Sequence, residues 1–111
     1  MPLFIAIGYG DEAGYNRTPP EVRGRAHDHD EWLRRGGVRM GHTGEPVRVS
    51  NTEERGVRRT QGAFMRSELP VAGFGIIEAD DLEHAADLVT GTPCAVAHGV
   101  VEVWPVIEQG E

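Results

Sequence analysis

Five histidines offer the first places to look for chemistry in this chain, because imidazole titrates near neutral pH and passes a proton with little tuning. Two of them, His27 and His29, stand in a stretch that reads as one helix from Thr18 to about Arg35. Side chains two apart on a helix point about 200° apart, so this pair cannot close on one metal ion. Val22, Ala26 and Leu33 recur at helical spacing and mark the buried side. His29, in line with Val22, falls on that side, whereas His27 turns away from it. His29 is the candidate acid/base group. The alternative is a packed histidine beside Trp32, hydrogen-bonded to backbone or to a carboxylate.

Glu102 is the first candidate carboxylate. It sits within VVEVWPV on the strand face that carries Val100, Trp104 and Val106. A carboxylate among such neighbours costs free energy unless paired, so a partner such as Arg or His is expected. It serves either a site or an ion pair in a dimer interface. Asp11 follows the first strand and stands at the mouth of a cleft or in a turn. Tyr9, Trp32, Phe74 and Trp104 are the aromatic residues expected to line a substrate. Gly73 and Gly75 leave a groove on one strand face, suited to a flat ligand or to the close approach of a helix.

Other chemistry is weakly represented. Cys94 has His98 nearby in TPCAVAHG, but nothing suggests an oxyanion hole, and a small buried thiol is the default. The compact ligand spacings of zinc sites are missing, so no metal is expected. GYGDEAG is not followed directly by a helix start, which removes a dinucleotide fingerprint, and no phosphate-cradling loop occurs. No cofactor is expected.

The elements that must position these residues are clearest between Leu69 and Val106. Val71 to Glu78 reads as a strand, followed by a helix with Asp80 as cap and Glu83 reaching back to it. Leu82, Ala85, Ala86 and Val89 form its apolar face. Gly91 suits a left-handed helix end, Pro93 prevents continuation, and Gly99 to Val106 is the next strand. Upstream, Leu3 to Tyr9 reads as a buried strand and GDEAGYNR as a loop. Thr18 should cap the long helix, with Pro19 at its first position and Glu21 at its third; Gly36 and Gly37 end it. Val38 to Met40 begins a strand that Val47 to Val49 continues or pairs with. Ser50 to Arg59 is a polar hairpin tip, and Gln61 to Phe64 leads on towards Val71. The order is that of a βαββαβ ferredoxin-like α+β sandwich with an elaborated middle.

In Val71 to Glu78, Gly73, Gly75 and Ile77 share one face while Ala72, Phe74 and Ile76 share the other. Both faces are apolar, so both should be covered. Helices of this chain cover one, and a second copy is the expected cover for the other, which makes the expected state a homodimer.

The 111 residues suit one domain, spanning 1–111. With 11 basic and 18 acidic residues the formal net charge is −7, which argues against a duplex nucleic-acid binder. Every basic residue is arginine, and the clusters Arg34, Arg35, Arg39 and Arg55, Arg58, Arg59 read as solvated charges, with contacts to small anionic ligands as the alternative. One cysteine excludes an internal disulfide and fits a reducing compartment. The apolar run Leu3 to Ile7 is too short for a signal peptide or a membrane span, so a cytoplasmic protein with no membrane partner is expected.

The order of YGDEA, a helix bearing histidine, QGAF, VAGFGIIEADDLEHA and VVEVWPV resembles the YciI-like (YCII-related) family, in its DGPF-domain branch. The similarity spans essentially the whole chain. It implies a dimeric α+β barrel in which two ferredoxin-like sheets pack face to face, with a cleft holding a His-Asp acid/base pair. It also implies either a cofactor-independent enzyme of the lyase, dehydrochlorinase or isomerase kind, acting on a small aromatic or polyketide-like substrate, or a non-catalytic ligand-binding or accessory protein on the same scaffold. Members of the branch are often found beside alternative sigma factors. This chain has Gln61, Gly62, Ala63 and Phe64 where relatives read DGPF, and Thr92-Pro93 where many have Asp-Pro. The dyad aspartate is therefore replaced, and His27 and His29 both answer to the family histidine.

Overall fold

A computed structural model describes residues 1–107. Its elements are β1 (Leu3–Tyr9), α1 (Glu12–Asn16), α2 (Pro20–Arg35), β2 (Arg39–His42), β3 (Val47–Ser50), β4 (Arg58–Gln61), β5 (Val71–Glu78), α3 (Leu82–Leu88), α4 (Pro93–Val96) and β6 (Val100–Pro105). Four strands form an antiparallel sheet in the order β2-β5-β1-β6, and β3 pairs only with β4 in a separate ribbon, so Val47 to Val49 neither continues nor pairs with the strand begun at Val38 as the sequence suggests. The chain is thus an α+β protein.

Strand alternation divides the sheet into two faces. Phe4, Ala6 and Ile77 point to the helices and form the core with Ala79, Ala85 and Val89, and Val38, Leu88, Val101 and Val103 pack around them. On the opposite face Ile5, Phe74, Ile76 and Trp104 are 41%, 42%, 41% and 52% exposed. Both faces are apolar, as the sequence indicates, but the chain's helices cover only one.

Four further local details depart from the sequence reading. GDEAGYNR is not a loop: Asp11 accepts from the Gly14 N–H at 2.8 Å and caps α1, the Asx use of a short acidic side chain. Thr18 is not the cap of α2. Its buried hydroxyl donates to the Gly14 carbonyl at 2.8 Å, so α2 starts one residue later with Pro19 as cap and Pro20 at the first position. Asp81, not Asp80, caps α3 by accepting from the His84 N–H at 2.8 Å, because Ala79 is still tied to the Pro2 carbonyl and delays the turn. The reciprocal bond comes from His84 Nδ1, which accepts from the Asp80 N–H.

Gly91 is the fourth. Among the described residues the left-handed glycines are Gly37, Gly56 and Gly62, and Gly91 is not one of them. A Cβ there would lie 3.1 Å from Cγ of His29, so the glycine makes room for an imidazole. Pro93 does more than stop a helix. It opens α4, with Thr92 before it, as proline at a first helical position can.

Candidate functional site

The register of the sheet explains where space is left. On the helix-facing side one row across the strands is Met40, Gly75, Ala6 and Val103, and the next is His42, Gly73, Gly8 and Val101. Four of these eight positions are glycine or alanine in adjacent columns, so the floor beneath α2 and α4 is low. A cavity of about 80 Å³ lies there, walled by Leu33, Val38, Val89 and Pro93. By volume it holds several waters or the inner edge of one small ring, the rest lying in its open mouth, well below the ~300 Å³ of a drug-sized pocket.

Asp30, Arg34, His42, Thr92 and Cys94 bring polarity to it. Asp30 is 9% exposed, and its Oδ1 is buried with no hydrogen-bond partner. Burial pushes its carboxyl above the ordinary carboxylate range, opposed first by Arg34 and then by His27, His29 and His42. Burial also raises the Cys94 thiol, and the Asp30 charge adds to this. Burial and the neighbouring carboxylate together favour a protonated thiol, which makes Cys94 a poor nucleophile. Arg34 and His42 are exposed at the rim. The Thr92 hydroxyl is buried and donates to the Val89 carbonyl at 2.7 Å.

The sequence candidates fall elsewhere. Nε2 of His29 lies 2.7 Å from the Leu88 carbonyl oxygen; a carbonyl only accepts, so Nε2 carries the proton. The ring lies 5.4 Å from that of Trp32 and against Gly91. His29 therefore pins α2 to the end of α3 and does not line the cavity. His27 is exposed and bonds through Nε2 to the Tyr15 hydroxyl at 2.7 Å. Asp11 is engaged as a cap. Trp32 packs on His29 at the surface, apart from the other aromatic candidates.

Tyr9, Glu102 and Trp104 do come together, on the open face. The buried Tyr9 hydroxyl donates to Glu102 Oε1 at 2.6 Å, and the Trp104 indole N–H to the same oxygen at 3.4 Å. The expected partner of Glu102 was Arg or His; phenol and indole take that place. The hydrogen bond to Glu102, then burial, raises the Tyr9 phenol above its usual value. Phe74 shares a row of this face with Ile7 and Glu102.

Asp30 is the residue the sequence reading passes over. The signal was present: it follows Ala26 by four residues and precedes Leu33 by three, which puts a carboxylate at the edge of the apolar stripe of α2. Charged residues on such a face are seldom left unpaired. Among the described residues no three potential ligands gather to hold a metal ion, and no helix is long and apolar enough to cross a membrane.

Fold and site together define a small α+β protein with a carboxylate-bearing cavity between helices and sheet. Compared with known proteins, the chain matches no protein-family model and no curated protein.

Proposed function

We propose that this chain is a YciI-like protein that binds a small, largely apolar molecule bearing a hydrogen-bond donor, and that Asp30 exchanges a proton with it. The observation that carries the reading is the buried, unpartnered Oδ1 of Asp30 in the cavity wall. Leaving a buried acceptor unpaired costs about 1–3 kcal/mol, and a ligand hydroxyl would remove that cost. A carboxyl whose pKa burial raises is also better suited to hold and return a proton than an ordinary one. Thr92, which stands where the family resemblance places an aspartate, lines the same cavity, so Asp30 supplies a carboxylate to the place that lost one. The reading supports acid/base chemistry through Asp30 rather than through His29, whose Nε2–H is already committed.

The scaffold is a ferredoxin-like sandwich in this reading, supported by the strand order and by the helical connections from β1 to β2 and from β5 to β6. Its half-exposed apolar sheet face supports a homodimer of the α+β barrel kind, in which two such faces stack. Sedimentation in dilute buffer should then give about twice the chain mass, and a clean monomer would remove the barrel.

Catechol and resorcinol are the first probes for the cavity. Titrated against labelled protein, they should shift the Gly73, Gly75 and Cys94 amides together and saturably. Gly75→Ala is the control, because its Cβ would meet Ala6, Arg39 and Met40 only at 3.7–3.8 Å. It fills the floor at ordinary contact distances, so it should abolish the shifts in a folded protein. Shifts that survive Gly75→Ala, or none at millimolar phenol, would end the cavity reading.

A further inference from the structure

The ribbon of β3 and β4 is joined to the domain but is not part of its sheet. Of its eight strand residues only Arg48 is even half-buried, and the molecule extends 53 × 38 × 20 Å. The radius of gyration is 16.0 Å, against about 13 Å for a compact domain of this length. An isolated two-stranded hairpin is marginal in water. A ribbon so exposed needs a surface to lie on.

Its composition says what kind of surface. The segment from Val47 to Arg66 holds five of the eleven arginines and only two of the eighteen acidic residues, Glu53 and Glu54. The remaining chain is strongly acidic, with six arginines against sixteen acidic residues. Cross-strand register places Val47 and Val49 on one face with Gln61 and Arg59, and Arg48 and Ser50 on the other with Thr60 and Arg58. Val47 and Val49 are exposed, as are Val57, Phe64 and Met65. The arm thus offers an apolar surface edged with positive charge. The open sheet face is its complement: Ile5, Ile76, Phe74 and Trp104 with the carboxylates of Glu78 and Glu102.

We infer that the β3–β4 ribbon is an intersubunit arm, which lays its valine face on the part of a second copy's open sheet face that the stacked sheets leave uncovered. This rests on the dimer proposed above and goes beyond it, because two sheets can stack without any arm. Apolar burial holds the arm, while Arg58 and Arg59 steer it to an acidic partner and keep it off its own basic counterpart. The arginines of the middle segment then act in assembly. A nucleic-acid role fits less well, since the body beside the arm would repel phosphates.

Mixed dimers test this. A nitroxide at Ser50→Cys, in a Cys94→Ser background, sits on the ribbon face away from the valines. Unlabelled spin-bearing protein is mixed with an isotope-labelled copy that carries no spin. Line broadening at the Ile5, Ile76 and Trp104 signals of the labelled copy is the expected result, because it can arise only between copies. A dimer by sedimentation without that broadening overturns the arm and leaves the stacked sheets standing. A monomer overturns both. As a second measure, Arg58→Glu with Arg59→Glu, both on exposed positions, should raise the dimer dissociation constant about tenfold or more in low salt and less in high salt. Unchanged dissociation, or salt-dependent binding of a duplex DNA oligonucleotide abolished by the same pair, would overturn the inference.

Discussion

Replacing Asp30 by leucine should make the protein more stable while destroying its cavity chemistry. Asp30 is 9% exposed with a buried, unpartnered oxygen, a condition that costs about 1–3 kcal/mol. An apolar side chain of similar size removes that cost. The attraction to Arg34 is lost as well, but Arg34 is 44% exposed, so that loss is below about 1 kcal/mol. The net gain at pH 7 is about 1–2 kcal/mol, or roughly 4–8 °C per kcal/mol in Tm for a domain near this size. Part of the gain depends on pH. The folded carboxyl holds its proton above the ordinary value of 3.8, so the folded state binds protons more tightly than the unfolded one. The charge penalty is therefore absent below 3.8, grows as pH rises through the folded value, and is full above it. Asp30→Asn isolates this part, since it keeps the shape and removes the charge. Urea unfolding of the three proteins at pH 4 and about pH 7, at one protein concentration, measures both parts. If the leucine variant is less stable by more than about 1 kcal/mol, or the asparagine variant tracks wild type at both pH values, then Asp30 has a partner in solution and the argument for a ligand collapses.

Three other outcomes follow from the geometry. His29→Ala should lose about 1–2 kcal/mol in urea unfolding, from the Leu88 hydrogen bond and the packing on Trp32, and should leave phenol binding in the cavity unchanged; the reverse pattern would return His29 to a site role. Gly91→Ala should destabilise by about 1–3 kcal/mol by crowding the same ring at 3.1 Å, and His29→Ala should relieve most of that in the double variant. Glu102→Ala should bring the Tyr9 phenol back towards 10.0 in an ultraviolet titration, since the carboxylate is the main cause of its elevation. The wild-type Tyr9 contribution to stability is full below 10.0 and is lost as pH rises through the raised folded value, so an unaltered phenol titration in Glu102→Ala would show that the hydrogen bond is absent in solution.

Two strands were legible because short unbroken apolar runs bounded by turn residues read as strand in any tertiary arrangement: Leu3–Tyr9 and Val71–Glu78 match the observed strands residue for residue, and the two-sided apolar pattern of the latter correctly placed Gly73 and Gly75 opposite Phe74 and Ile76, whereas the polar strand Arg58–Gln61 begins inside the stretch read as a hairpin tip. Helix starts were less legible, because a cap is a competition among neighbours. Thr18 and Asp80 are both good caps by type, but Thr18 was spent on Gly14 and Asp80 was displaced by the hydrogen bond from Ala79 to Pro2. The site suffered most. His29 lies on the inward side of α2 as the spacing indicates, yet inward there meets Leu88 and Gly91 rather than a cleft. A helical wheel gives direction; it does not say which neighbour stands there.

The two faces of the sheet carry different work, and the residue types show why one chain can do both. Towards the helices, Gly75 and Ala6 leave space in the cavity floor, while Gly8 makes room for the Cys94 thiol, whose Sγ would lie 2.8 Å from a Cβ there. Away from the helices, Ile5, Phe74, Ile76 and Trp104 are large and half exposed, which is costly unless something covers them. Neither feature is forced by the other, because alternation isolates the two sets of side chains on the same strands. Gly75→Ala should therefore close the cavity and leave sedimentation unchanged, whereas Ile76→Asp, one residue along and on the opposite face, should disrupt association and leave the cavity floor as it is. If both variants alter both properties, the faces are coupled through the sheet, and a ligand in the cavity would have to be treated as an effector of assembly.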